Sequence, residues 1–238
     1  MTDRTGSTAD RLAAVRTRIA EAAARAGRSP GEITLIGVTK TIGGARIQEA
    51  VDAGLTHIGE NRVQETEGKI GSIRPAGAPL TFHLVGHLQA NKARRALQIF
   101  SWIHSVDSVS LAQRIDRIAG EIGVKPTLLV EVNLVAEGTK SGAAAEEVGA
   151  LIEAIATLPH LKLAGLMAVP PAPPPGEGEE ASRKHFRALR ALRDTWASRG
   201  YDLPALSMGM TDDYAVAVEE GATHVRVGRA IFGERPPD

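Results

Sequence analysis

Ile33-Thr34-Leu35-Ile36-Gly37-Val38-Thr39-Lys40 is the stretch on which the fold turns. From Ile33 to Thr39 it is a short, nearly continuous apolar run rich in β-branched residues, the pattern of a parallel strand covered on both faces. It ends at Lys40. Upstream, from Asp10 to Arg28, Leu12, Val15 and Ile19 recur at helical spacing among alanines, and Gly27 followed by Pro30 supplies a stop. A leading helix therefore precedes the first strand. Downstream, strand-like segments fall near Thr56 to Gly59, Leu80 to Gly86, Ser101 to Val106, Thr127 to Asn133, Leu161 to Ala168, Ala205 to Met208 and Thr223 to Val227. Helical stretches lie between them: Ala45 to Ala53, Arg62 to Ile73, Gln89 to Leu97, Val109 to Ile122, Ala144 to Leu158, Ser182 to Ser198 and Asp212 to Glu220.

Alternating strands and helices imply a parallel sheet, and eight such units in 238 residues predict an α/β fold, a single (β/α)8 TIM barrel with an extra N-terminal helix. An open doubly wound sheet is the alternative. No linker splits the chain, so one domain is expected over residues 1–238, with 1–8 expected to lack order. The proline- and glycine-rich segment from Val169 to Glu180 reads as a mobile loop on the rim.

Composition narrows the function. Lys plus Arg, at 28, offsets Asp plus Glu, at 28, so no global field draws in nucleic acid or anionic lipid, and neither partner is expected. Any anion site must be local. Without cysteine there is no disulfide framework, thiol nucleophile or thiolate metal site. The polar start and the lack of a membrane-length apolar run predict a cytoplasmic protein, and a monomer is expected.

In a (β/α)8 barrel the C-terminal ends of the strands carry the chemistry. Lys40 ends the first strand, where a dry mouth lowers an amine's pKa and makes it a nucleophile towards carbonyls. Alone, it reads better as a surface lysine capping a strand end. The segment from Ser207 through Met208, Gly209 and Met210 to Thr211 follows the seventh strand, and Val227 to Gly233 follows the eighth. Their glycines let backbone approach a ligand, Ser207 and Thr211 bring hydroxyls, and a short helix starting near Gly228 would aim free N–H groups outward. The loops after strands seven and eight are where barrels commonly take phosphate. A carbonyl-seeking lysine across the mouth from such a cradle matches the aldehyde and phosphate of pyridoxal 5'-phosphate (PLP). Alternation puts His224, Arg226 and Gly228 on one face of the last strand. If that face is interior, Arg226 needs a partner: a pyridine nitrogen is one, an ion pair with Glu131 another.

Together these strings resemble a known family, the YggS/PROSC-type PLP homeostasis proteins, whose fold is similar to the barrel domain of alanine racemase. The resemblance runs from about Ile33 to Gly233. It rests on GVTKT around Lys40, HIGENRVQE from His57, FHLVGHLQANK from Phe82 and IHSVDS from Ile103. Further support comes from the spaced Asn133, Glu137, Lys140 and Gly142, from GLMAVPP at Gly165, LSMGMTDDY at Leu206 and VRVGRAIFG at Val225. It implies that Lys40 forms the Schiff base, that Ser207, Gly209 and Gly228 with its neighbour hold the phosphate, and that Arg226 faces the pyridine nitrogen. Asn61 and Met208 would line the ring. Arg229 departs from the family pattern, which has threonine there; its backbone N–H still suits the phosphate, while its side chain either adds to phosphate binding or points to solvent.

The resemblance implies a PLP-holding homeostasis protein without required catalysis, with PLP-dependent apoenzymes as recipients. The rival is an amino-acid racemase using Lys40 as one base, which needs an opposing tyrosine; Tyr201 and Tyr214 fall in no matching motif. A barrel that binds another phosphorylated metabolite noncovalently is a third reading. His83 and His87 flank Gly86 without a third metal ligand, and Lys92, Arg94 and Arg95 read as a solvated helix face. Asp212 and Asp213 read as first-turn helix residues.

Overall fold

The computed structural model describes residues 6–135, 141–171 and 178–234. Among these, eight parallel strands build the sheet: β1 Thr34–Val38, β2 His57–Glu60, β3 Thr81–Leu84, β4 Trp102–Val106, β5 Thr127–Asn133, β6 Lys162–Met167, β7 Ala205–Ser207 and β8 His224–Val227. Each pairs with the next in sequence, and β8 returns to pair with β1 from Thr34 opposite His224 to Gly37 opposite Val227. That last ladder closes the barrel and excludes the open sheet. A two-residue pairing of Ala143–Ala144 with the end of β5 extends the rim.

The helices are α1 Thr8–Arg25, α2 Gly44–Asp52, α3 Val63–Ile70, α4 Ala93–Leu97, α5 Val109–Ile122, α6 Val148–Ala156, α7 Arg183–Ala197, α8 Tyr214–Glu219 and α9 Arg229–Phe232. Helix α1 buries the predicted Leu12, Val15 and Ile19 with Ala22 and Ala23, and packs on α2, α8 and α9. Ser7 caps it and Asp10 reaches back to the Ser7 backbone, a reciprocal capping box. The expectation that residues 1–8 lack order is corrected at Ser7 and Thr8, which are the capped start of this helix; residues 1–5 lie outside the described residues. Helix α5 starts on a Ser108 cap and ends at Gly123 with φ 71°, a left-handed stop that glycine adopts without strain.

Helix α6 begins later than the alanine-rich stretch from Ala144 predicts. Ala143 and Ala144 join the β5 ladder instead, and Glu147 accepts from the Ala144 N–H, so pairing overrides alanine's helix preference. In the proline-rich segment, residues 172–177 are outside the described residues; Glu179–Ser182 forms a 3-10 turn that Arg18 of α1 grips through Glu179. Glu137 and Lys140 also lie outside them. Among the described residues, no helix is long and apolar enough to cross a membrane.

Candidate functional site

The end of β1 is built to present Lys40. Gly37 faces outward, where an added Cβ would lie 2.5 Å from Leu55, so alternation turns Ile36 and Val38 inward, and Lys40 follows in the turn just beyond the strand. Thr39 points outward, is fully buried, and donates its hydroxyl to Glu60 at the end of β2. From α3, Lys69 Nζ donates to the Thr39 carbonyl at 2.7 Å and pairs with Glu60 at 2.7 Å and Glu65 at 2.9 Å. On the other side of Lys40, Thr41 sits at φ 62°, an uncommon left-handed conformation for a β-branched residue, and gives its N–H to Glu65 at 2.6 Å. Lys40 is therefore held between two clamped threonines. Burial pushes the Glu60 carboxyl above its ordinary range, against the pull of Lys69 and Thr39, and its Oε2 has no partner. Glu60, Glu65 and Lys69 were not singled out from sequence; the signal was in the ENRVQE string, whose Glu65 stands four residues before Lys69 on a helix.

Strands β2, β1, β8 and β7 are consecutive neighbours, so their C-terminal ends form one half of the rim. That half carries each residue the resemblance assigned to the cofactor, whereas Asn133 ends β5 outside it. Asn61 follows β2, with its backbone packed so closely on Gly86 that a Cβ there would come within 2.6 Å of the Asn61 carbonyl. Gly209 has φ 90°, and a Cβ would meet Ala217 at 2.5 Å, so the β7 loop needs glycine for both conformation and space. Gly228 caps α9, whose first N–H groups have no acceptor within the helix. Arg229 is exposed to solvent, one of the two alternatives the sequence offered, and pairs there with Asp212, which links the β7 and β8 loops.

Two nominated side chains lie deeper than expected. Met208 is fully buried in the core between strands and helices, so its side chain does not line a ligand ring. Ser207 is also fully buried, its hydroxyl already engaged by Arg226 Nη1 at 2.6 Å and His104 Nδ1 at 2.9 Å. It supports the site from beneath rather than offering an open hydroxyl to a phosphate. Arg226 lies inside the barrel, as alternation predicts, and its Nη2 donates to the Ala168 carbonyl at 2.8 Å. The ion-pair alternative is not realised, because Glu131 bonds Ser141 instead, at 2.7 Å. Burial lowers the Arg226 pKa to about 10, with Glu131 and Asp213 pulling the other way, so it stays a cation at neutral pH.

Below Arg226 the interior is polar. His57 Nδ1 meets His83 Nε2 at 2.9 Å, and His83 Nδ1 meets His104 Nε2 at 3.0 Å. His224 lies beside them, packed at a 45° tilt against Trp102 with ring centres 4.9 Å apart, and bonds Thr223. Burial drives His83 and His104 well below the ordinary imidazole pKa and His224 to about 4, so these rings are neutral. His83, read from sequence as a packing residue, thus belongs to this network, while His87 faces Asp107.

The remaining candidates fall outside the rim chemistry. Arg94 and Arg95 pair with Glu121 and Glu67. Asp213 is buried and accepts from Ser182 and from the Met210 N–H. Tyr214 lies under Arg18 and Tyr201 against Trp196. A cleft of about 960 Å³ opens between α1 and the β7 and β8 loops, lined by Arg11, Arg18, Thr211 and Arg229 but not by Lys40. Its position beside the loops makes it a flank of the site, not its centre.

A closed barrel with a clamped lysine ending its first strand and glycine loops after its last two is the architecture of the family described as alanine racemase, N-terminal domain, which matches residues 11–236. More narrowly, the chain belongs to the pyridoxal phosphate homeostasis protein family. Relatives of that name from Pseudomonas aeruginosa and Escherichia coli K12 are each 41% identical, covering 95% of this chain and 95% and 96% of theirs. The solved structure of PipY from Synechococcus elongatus, with PLP bound, is 38% identical with a TM-score of 0.83, over 95% of this chain and all of that one. Alanine racemase from Clostridium difficile, 18% identical with a TM-score of 0.72, shares the fold; this chain covers 61% of it.

Proposed function

We propose that this protein holds PLP reversibly through Lys40 and serves PLP homeostasis without turning over a substrate. The observation that carries the reading is Lys40 in its clamped turn at the end of β1, on the strand beside buried, charged Arg226. The residues fit the cofactor: a rim lysine for its aldehyde, a guanidinium for its ring nitrogen, and backbone N–H groups around Gly209, Gly228 and Arg229 for its phosphate. Asn61 borders the same half of the rim. PLP, when bound, supplies an aldehyde that condenses reversibly with amines. An arginine, unlike a carboxylate, does not favour a protonated pyridine, so Arg226 keeps the ring a poor electron sink, which suits storage over carbanion chemistry. The names of the relatives agree with this reading.

The reading includes a cytoplasmic monomer that passes PLP to apoenzymes. It is tested by incubating the protein with PLP, reducing with borohydride and mapping peptides by mass. A phosphopyridoxyl mass on the Lys40 peptide is expected; an unlabelled protein after excess PLP overturns the reading. Rapid exchange of the alanine α-proton into deuterated solvent, lost in Lys40→Ala, would favour a racemase instead.

A further inference from the structure

His57, His83 and His104 stand on successive strands β2, β3 and β4 and are bonded ring to ring, ending at Ser207 on β7. His57 opens β2, at the end of the barrel opposite the loops, and is only partly buried; His83 and His104 are wholly enclosed. The column therefore crosses the interior from that far end to the mouth. Arginine can only donate, so the 2.6 Å contact from Arg226 uses a lone pair of Ser207. The Ser207 proton then has His104 Nδ1 as its acceptor; turned elsewhere, it would be a buried donor without a partner.

This one assignment fixes the rest. With Nδ1 accepting, His104 carries its proton on Nε2 and donates to His83 Nδ1, and His83 donates from Nε2 to His57 Nδ1. Every hydrogen bond points the same way, away from Arg226, and bonds in such a chain polarise one another. The lone-pair end meets the guanidinium, which has neutral oxygens of Ser207 and Ala168 as its hydrogen-bond partners. Flanking groups do not take up these hydrogen bonds: His224 is bonded to Thr223 and packs at a tilt against Trp102, while Glu131 and Asp213, which favour the charged guanidinium from a distance, are bonded to Ser141 and Ser182.

We propose that His57, His83 and His104 form a one-directional relay, each ring protonated on Nε2, that takes the place of a directly bonded carboxylate in supporting and fixing Arg226 at the mouth. These histidines are positioning residues. What Arg226 faces rests on the cofactor reading above; the direction of the relay does not.

The test is nitrogen-15 NMR of histidine-labelled full-length protein without ligand, near neutral pH, assigning the ring tautomers of His83 and His104. Both are expected to show a bare Nδ1 and a protonated Nε2; a proton on Nδ1 of either ring overturns the relay. A second measurement compares His104→Asn, whose side-chain oxygen can accept where Nδ1 stood, with His104→Leu, which cannot accept. The PLP dissociation constant, read from absorbance, is expected to rise about tenfold in His104→Leu and to stay within about threefold of wild type in His104→Asn. Equal affinities in the two variants overturn the positioning role. If the wild type takes up no PLP, the cofactor reading fails, and the tautomers still decide the relay.

Discussion

Arg226 Nη1 lies 2.6 Å from Ser207 Oγ, and both side chains are enclosed at the meeting of β7 and β8. The pair joins the rim to the imidazole column, so its loss is felt in stability as well as in binding. Ser207→Ala leaves Arg226 Nη1 and His104 Nδ1 without their partner in a dry interior. An expected loss of about 2 to 4 kcal/mol follows, since hydrogen bonds to charged groups and unmet buried polar atoms each cost more than an ordinary bond returns. Urea denaturation measures it, and a loss below about 1 kcal/mol would mean that the pair is not under the constraint its geometry describes.

The Lys40 turn gives a prediction with an internal order. Glu60 and Lys69 are both largely buried and paired at 2.7 Å. Lys69→Met strands a carboxylate that already has one unpartnered oxygen, whereas Glu60→Gln leaves Lys69 with Glu65. The first is expected to cost about 3 to 5 kcal/mol and the second about 1 to 2. Because Lys69 also holds the Thr39 carbonyl, Lys69→Met should also slow PLP attachment, followed by absorbance. The reverse order of stability would show that Glu60, not Lys69, is the group the turn depends on.

How much of this was legible in sequence depended on whether a residue's role lay in its own strand or between strands. Thr127–Asn133 and Val109–Ile122 were read to the residue, because a buried run and a 3.6-residue stripe are local signals. Lys40, Asn61, Gly209 and Gly228 follow strands that are consecutive neighbours, and the sequence brought them to one face of the barrel because strand ends define it. The imidazole column was not legible. His57, His83 and His104 sit on three different strands, and only the barrel's stagger brings their nitrogens within 3.0 Å. Ser207 was misjudged in depth for the same reason: alternation shows which way a hydroxyl points but not what already occupies the space.

Acid should weaken the fold. The folded pKa values of His57, His83, His104 and His224 all lie below 6.5, that of His224 at about 4, so the unfolded chain binds these protons first. Their stabilising contribution is complete above the unfolded value and is lost as pH falls below 6.5, by up to about 1.4 kcal/mol per pH unit for each ring. Glu60 and Glu131, with raised values, act oppositely: they favour the fold below about 4.5 and lose that effect as pH rises through their folded pKa values. Four histidines outweigh two glutamates, so Tm should fall steadily from pH 7 to 5. In His224→Phe the fall should be shallower; an unchanged slope would mean that His224 takes up a proton in place.

Two glycines give opposite predictions: Gly165, with φ 156°, is held by both conformation and space, and Gly68 by neither. Gly165 of β6 lies opposite Ala205 of β7, and a Cβ on it would sit 1.8 Å from the Ala205 carbonyl oxygen. No side-chain motion relieves a clash with backbone, so Gly165→Ala must part the ladder immediately before Ser207; a loss above about 4 kcal/mol, or failure to fold, is expected. Gly68 is the opposite case. It is exposed on α3 with nothing within 4 Å of a built Cβ, so alanine there only removes the conformational freedom of the unfolded chain. Gly68→Ala should raise stability by about 0.5 to 1 kcal/mol, because glycine in an exposed helix interior is weaker than alanine by that amount. Thermal denaturation of both variants checks the pair. If Gly165→Ala folds with a near-native Tm, then β6 and β7 are not held as closely as their register requires, and the enclosure of Ser207 by its neighbours falls with it.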